Sequence, residues 1–278
     1  MLVILMEGNM DDIKEIYLKE QERLKRTDFF STGFEELDVF CKYIDKENII
    51  TIGGRPAMGK TNFSVSLINH MVNADKNVLC FVMDCTKSKF VMRLVSEKIG
   101  TPLFSLLEGK VREEEVNIVL DTYKYKKLKI IDKTNLSIED IDTKVQEIKP
   151  DIVFIDYVQL IEAPKAPNRT EAINLVIKEL KRIAVENSVI VVLLSQLSRA
   201  VEGRLDKHPL LSDLRNGSLL EDISDIVLFV YREEYYSAEM ENPSNEIIVA
   251  KNSMGPVGII SLDFKHGFFK NKIIDNTF

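Results

Sequence analysis

Residues 48–61 constrain this chain more than any other stretch. A short apolar run, Ile49-Ile50-Thr51-Ile52, leads into Gly54-Arg55-Pro56-Ala57-Met58-Gly59-Lys60-Thr61, which has the spacing G-x-x-x-x-G-K-T. Glycines at the two ends let the backbone turn tightly, so that successive N–H groups face one anion. Lys60 adds a positive charge for terminal phosphates, and Thr61 offers a hydroxyl to Mg²⁺. The residues that follow put Phe63, Leu67, Ile68, Met71 and Val72 at helical spacing. The loop therefore opens a helix whose N-terminal dipole also favours phosphate. Gly54, Met58, Gly59, Lys60, Thr61 and Asn62 are the candidate nucleotide-contacting residues. An ordinary glycine-rich turn would not account for Lys60-Thr61 at a helix start.

The bulk properties set limits around this site. A chain of 278 residues with 45% hydrophobic content can build one large α/β domain. No apolar run approaches the ~20 residues of a membrane span, and Val3–Met6 is too short for a signal segment. Cys41, Cys80 and Cys85 are odd in number and lack metal-ligand spacing, which points to a reduced, cytoplasmic setting. The three histidines are scattered. A net charge of −7 excludes a broadly basic surface. It leaves room for a few Arg and Lys concentrated in a channel that binds nucleic acid.

Strands and helices alternate after the phosphate loop. Predicted strands are 78–83, 128–131, 152–156, 189–195 and 226–231, with helical patterns at 87–99, 113–124, 137–148 and 170–187 between them. Near-continuous Val/Ile/Leu strands separated by helices indicate a mostly parallel sheet with helices on both faces. Two late segments, 246–251 and 258–263, flank Ser253-Met254-Gly255-Pro256 and read as a C-terminal antiparallel hairpin. The segment 202–209 reads as a loop. Residues 10–26 read as a charged helix with a narrow apolar stripe of Ile13, Ile16, Tyr17 and Leu24. Periodicity fits a docking arm and a solvated terminal helix equally. The predicted division is an arm over 1–26 and an ATPase-type core over 27–278.

Other strand ends carry candidate chemistry. Ile152-Val153-Phe154-Ile155 ends in Asp156, a carboxylate suited to the Mg²⁺ shell at the carboxyl end of the sheet. Strand 78–83 ends in Asp84, which could activate water. Strand 189–195 runs into Gln196, which could sense a γ-phosphate. Each is weak alone, because strand-terminal polar residues often only cap. Together with Lys60 and Thr61 they converge on one edge.

On these residues the chain resembles the ATPase domain of DnaB-type replicative DNA helicases, within the RecA-like P-loop ATPases. The matching stretches are STGFEELD (31–38), GGRPAMGKT (53–61), FVMDCTKSKFVMRL (81–94), DIVFIDYVQLI (151–161), the run from SQLSR (195–199) through SDLR (212–215) to 236, and EIIVAKNSMGPVG (246–258). They follow the family's order over about residues 10–265. The family's separate N-terminal domain has no counterpart in this sequence. The resemblance implies an ATP-dependent DNA helicase that uses ATP and Mg²⁺ and acts on single-stranded DNA as a hexameric ring in DNA replication. It implies that Lys60 and Thr61 bind phosphate and Mg²⁺, that Asp156 holds Mg²⁺, and that Gln196 contacts the γ-phosphate. Arg215, Asn216 and Gly217 would contact the single-strand backbone. Lys251 would reach a neighbour's site, Arg232 is a further nucleotide-contacting candidate, and the 10–26 helix would pack on an adjacent subunit.

Two departures from the family pattern matter. Asp84 stands where the family usually has glutamate, one methylene longer, so its oxygen sits back from a water it must hold. Ser253 stands where the family usually has the arginine that acts across the interface, and an arginine finger can be worth ~10³–10⁵ in rate. Asn216 also replaces an acid. Three readings result. One is a ring-shaped motor. Another is a non-motor ATP-binding paralogue that assembles with, regulates or loads a true replicative helicase and hydrolyses slowly. A recombinase or clock-type ATPase fits least, because SQLSR, SDLR and KNSMGPVG match helicases. The residues favour a helicase-like ATPase with impaired turnover.

Overall fold

Six residues without a charge, Ile49–Gly54, make the buried strand around which the sheet is built. A computed structural model describes residues 13–25, 30–162, 166–215, 217–236 and 243–272. In chain order the elements are α1 (Ile13–Leu24), α2 (Glu35–Phe40), β1 (Ile49–Gly54), α3 (Lys60–Asn73), β2 (Val78–Val82), α4 (Lys87–Ile99), α5 (Leu103–Leu107), α6 (Glu113–Tyr123), β3 (Leu128–Ile131) and α7 (Ile138–Ile148). They continue with β4 (Ile152–Asp156), α8 (Arg169–Glu186), β5 (Ile190–Gln196), α9 (Gly217–Ile223), β6 (Ile226–Arg232), β7 (Asn245–Asn252), β8 (Gly258–Ser261), β9 (Asp263–Lys265) and β10 (Phe268–Lys270). Eight strands form one sheet in the order β3-β2-β4-β5-β1-β6-β7-β8. The pairs from β3 to β6 are parallel, whereas β7 and β8 add antiparallel to the far edge. The α/β class, the parallel core and the late antiparallel hairpin all match the expectation from sequence.

Helix boundaries follow local chemistry. The Thr86 hydroxyl caps α4, Ser137 and Asp140 form a reciprocal capping box on α7, and the Asn168 carboxamide accepts from the Glu171 N–H at 2.9 Å to cap α8. Gly100, in the left-handed region, ends α4. Helix α3 differs: Gly59 precedes it and no side chain caps it. The first amides of that helix are left to an external acceptor.

Apolar side chains pack on both sheet faces, as strands buried on two sides require. One face gathers Ile52, Val82, Phe154 and Leu194 against Phe63, Phe90 and Phe269. The other gathers Phe81, Ile155, Leu193 and Phe229 against Val145, Val176 and Leu180.

Three features were not anticipated from sequence. The stretch 258–263 divides: β8 ends at Ser261, and β9 pairs with β10 as a separate two-stranded sheet. That hairpin lies on α3, where the Phe63 and Phe269 rings meet edge to face at 5.7 Å and the Phe34 and Phe63 rings stack at 5.3 Å. Helix α2 lies between the N-terminal helix and β1, where the sequence pattern predicts no element, and buries Leu37. The third is α9, which immediately follows Arg215 and the undescribed Asn216. The N-terminal helix is present over Ile13–Leu24, with residues 10–12 and 26 of the expected span outside the described residues. None of its residues is buried. It meets the core through an ion pair from Arg23 to Asp45. Among the described residues no helix is long and apolar enough to cross a membrane.

Candidate nucleotide site

The parallel register delivers the site. Gly54 pairs with Gln196 across β1 and β5, Ile155 with Leu193 across β4 and β5, and Val82 with Asp156 across β2 and β4. The carboxyl ends of four adjacent strands therefore open onto one edge, the usual place for ligands in open α/β sheets. Lys60, Thr61, Asp84, Asp156 and Gln196 all emerge there.

The phosphate loop is shaped by its glycines and filled by its lysine. Gly59 has φ +95°, and a Cβ there would lie 3.1 Å from Cε2 of Phe269. A Cβ on Gly54 would lie 3.0 Å from Lys60 Cγ, so glycine lets the lysine fold back across the loop. Lys60 Nζ donates to the carbonyls of Gly54 at 2.8 Å and Arg55 at 3.1 Å. Burial pushes its pKa down to about 8, while Asp156 and Asp84 act the other way. The amine is still protonated at neutral pH, and the carbonyls that hold it are neutral. Met58 contributes only its main chain to the loop, because its side chain is buried in the core.

Thr61 Oγ1 donates to Asp156 Oδ2 at 2.8 Å. A hydroxyl and a carboxylate in contact at a strand end are hard oxygen donors of the kind Mg²⁺ takes. Among the described residues no group of three or more His, Cys, Asp or Glu side chains could form a metal cage. An Mg²⁺ held there would have to take its remaining ligands from water and phosphate. Burial drives Asp156 up to about 6, with Asp84 adding to the rise and the Thr61 hydrogen bond, Lys60 and Arg93 opposing it. Asp84 lies in the exposed bend after β2, and its charge is felt at Asp156, Lys60 and Tyr157.

A side wall comes from β6 and the β9–β10 hairpin. The Arg232 guanidinium lies 3.7 Å from the Phe264 ring centroid, a cation–π contact. It also donates to Ala57 O at 3.4 Å and pairs with Glu234, while its buried Nε has no hydrogen-bond partner. Asn62 ties α3 to its surroundings, with Nδ2 donating to Gly267 O at 2.6 Å and Oδ1 accepting from Arg93 Nη1 at 2.6 Å.

The remaining predicted residues divide into two groups. Arg215 is exposed, and its N–H reaches the Gln196 carbonyl at 3.4 Å. Its loop is braced by Arg204, which donates to both oxygens of the buried Asp213 at 2.8 and 2.6 Å. Gly217 starts α9, and Asn216 lies outside the described residues. Lys251 and Ser253 do not join the site of their own chain. Lys251 pairs with Val227 near the start of β6, the end of the sheet opposite the phosphate loop. Its Nζ donates to Glu221 O at 2.6 Å and Asp222 O at 3.0 Å. Ser253 is exposed beside it.

Sequence reasoning missed Arg55, Arg93 and Phe264. Arg55 Nε donates to Glu202 Oε1 at 2.7 Å and Nη1 to Leu197 O at 3.1 Å, fastening the phosphate loop to the segment after β5. Arg93 had a signal: it is a lone cation at helical spacing from the buried Phe90 and Leu94. Phe264 had none, because its partner is 32 residues away in sequence.

The buried charge at Asp156 makes a measurable cost. Its folded pKa of about 6 lies above the ordinary value of 3.8. The folded state therefore holds a proton that the unfolded state releases between those values, and stability falls as pH rises through that window. Asp156→Asn should be more stable than the parent in nucleotide-free protein at pH 7, and this advantage should shrink as pH falls from 6 to 4. Thermal unfolding at several pH values measures it. A constant difference across the series would contradict the buried, proton-linked carboxylate.

Comparison with known proteins agrees with this geometry. The family model for the DnaB-like helicase C terminal domain matches residues 30–272. The chain is 33% identical over 258 residues to the replicative DNA helicase DnaC of Bacillus subtilis (strain 168), covering 89% of this chain and 56% of that protein. It is 33% identical over 244 residues to the replicative DNA helicase DnaB of Geobacillus stearothermophilus, covering 84% of this chain and 54% of that protein. It thus spans about half the length of these curated relatives. A DnaB-like replicative helicase, solved in a study of its interactions with primase, superposes with a TM-score of 0.86 at 33% identity, covering 94% of this chain and 67% of that one. A second solved structure, an ATPase domain on its own, superposes with a TM-score of 0.88 at 33% identity, covering 95% of this chain and 99% of that one. The chain belongs to the DnaB-like helicase C-terminal domain family, and its fold is that family's RecA-like ATPase fold.

Proposed function

We propose that this chain binds ATP with Mg²⁺ and works on single-stranded DNA as one subunit of a helicase-type ring, with slow turnover of its own. The observation that carries the nucleotide reading is the Thr61–Asp156 contact at 2.8 Å beside the uncapped start of α3. Backbone amides of that first turn and Lys60 hold the phosphates. Thr61 and Asp156 hold Mg²⁺, which when bound neutralises phosphate charge. Gln196 touches the γ-phosphate, and Arg232 flanks the nucleotide from β6. Arg215 and Gly217, with Asn216 between them, bind the strand backbone. The relatives' names, replicative DNA helicases, support the DNA substrate.

Assembly has its own support. On α1, Ile13, Ile16 and Tyr17 are 84%, 52% and 60% exposed, so among the described residues nothing buries the apolar stripe. A neighbouring subunit is its natural cover. Lys251, at the end of the sheet opposite its own phosphate loop, is placed to serve a neighbour's site rather than its own. These points favour a homo-oligomer, with a hexamer the family's form. A partner helicase or loader is the occupant under a second, non-motor reading, which the Asp84 and Ser253 departures favour.

Two experiments test the proposal. Lys60→Ala should remove most affinity for ATP·Mg²⁺, because the phosphates lose their nearest cation, while Arg215→Ala should spare nucleotide binding and weaken single-strand binding at low salt. Titrations of each ligand against each variant measure both effects. Nucleotide affinity that is unchanged in Lys60→Ala would contradict the site. The second experiment concerns turnover. Ser253→Arg should raise kcat at least about tenfold at saturating ATP with little change in affinity, since such a charge acts on the transition state. Asp84→Glu should help modestly alone and more in combination, because water must be placed before stabilised charge can develop. A parent already turning over rapidly, with no gain in the double variant, would favour the motor reading over the impaired one.

A further inference from the structure

Gln159 is a buried polar residue that the nucleotide site itself does not use. It lies in the short 3₁₀ turn Val158–Leu160, three residues after Asp156. Its carboxamide reaches across to the end of β5. Nε2 donates to Ser195 Oγ at 2.8 Å, and Oε1 accepts from the Gln196 N–H at 3.5 Å. The Ser195 hydroxyl, fully buried, donates in turn to the Gln196 carbonyl at 3.4 Å. That same carbonyl accepts the Arg215 N–H at 3.4 Å. The Gln159 carbonyl accepts from Arg169 Nη2 at 2.5 Å, which fixes the turn to the start of α8.

We propose that Gln159 is a positioning residue that couples the nucleotide site to the DNA loop by holding the main chain of Gln196 at its N–H and, through Ser195, at its carbonyl. The proposal rests on the nucleotide and DNA roles assigned above. An apolar side chain of similar length would fill the space but leave the Ser195 hydroxyl and the Gln196 N–H without this partner. What the amide adds is direction: one hydrogen bond reaches the Gln196 N–H, and a relayed one reaches the Gln196 carbonyl in the next peptide group. Three residues upstream is the Mg²⁺-side carboxylate, and one hydrogen bond downstream is Arg215. Without the amide, the turn after Asp156 keeps the Tyr157–Gln196 side-chain contact but loses its hold on the main chain at the strand end. A change beside Asp156 would then reach the Arg215 loop only weakly. Coupling between two sites appears as the factor by which one ligand changes the affinity for the other.

The test needs no hydrolysis. Binding of a fluorescein-labelled thymidine homo-oligomer is measured with and without Mg²⁺ and an ATP analogue carrying a β,γ-imido bridge, for the parent, Gln159→Met and Ser195→Ala. The parent should show a coupling factor of about 5–150, the range common for linked sites. Gln159→Met should bring it below about threefold while each separate affinity stays within about threefold of the parent. Ser195→Ala, which removes less, should show the same loss in smaller measure and gives the reading if Gln159→Met does not fold. Parental coupling in both variants overturns the inference and leaves the proposed function intact. Collapse of both separate affinities together with the melting temperature also overturns it, because the amide would then be structural only. A parent with no coupling at all overturns the inference and the proposed ring function together.

Discussion

The in-register parallel ladder from β2 through β4 and β5 to β1 is the constraint on which the site depends. Because the strands run the same way, every one of them releases its chain at the same edge. Gly54 beside Gln196, and Val82 beside Asp156, leave the phosphate loop, the Asp156 carboxylate and Gln196 as near neighbours. A one-residue slip of β4 against β2 would turn Asp156 to the opposite face of the sheet. The near-continuous burial of these strands resists such a slip. The antiparallel β7 inverts the logic: its residues run back to the other end, which carries Lys251 away from its own nucleotide and towards a surface.

The edge so formed is electrostatically costly in the free chain. Lys60 is buried with its ammonium on neutral carbonyls, and Asp156 is buried with a hydroxyl as its hydrogen-bond partner. Burial disfavours the charged form of each and shifts the two pKa values towards each other, to about 8 and about 6. Both groups nevertheless stay ionised at neutral pH. A phosphate facing Lys60 and a divalent cation facing Asp156 would each supply the opposite charge that the protein withholds. The uncapped first turn of α3 adds amides that are still without a partner. A bound anion and its cation would offset this cost where the loop has its least ordinary backbone.

How much of this was legible in the sequence depends on the range of the interaction. The phosphate loop, Asp156, Asp84 and Gln196 could be read because a strand and the residue that ends it are adjacent in sequence. Helices α4, α7 and α8 lay where apolar spacing and their caps put them. The β9–β10 hairpin could not be read as a separate element, because Asp263–Lys265 continues β8 with only Leu262 between them. Its reason for folding away is the distant Phe63. Arg232 over Phe264 and Gln159 on Ser195 are likewise meetings of segments far apart in the chain. The position of Lys251 at the far end of the sheet emerges only from strand register. In the proposed assembly it would face a neighbour, as would the apolar stripe of α1.

The most direct test of the account is a structure of the chain with Mg²⁺ and a non-hydrolysable ATP analogue. The account predicts that Lys60 Nζ leaves the Gly54 and Arg55 carbonyls for a terminal phosphate, and that Mg²⁺ sits at Thr61 and Asp156. The amides at the start of α3 should take the remaining phosphate oxygens. Nucleotide bound elsewhere, or bound here with Lys60 still on its carbonyls and no ion at Thr61, would contradict it.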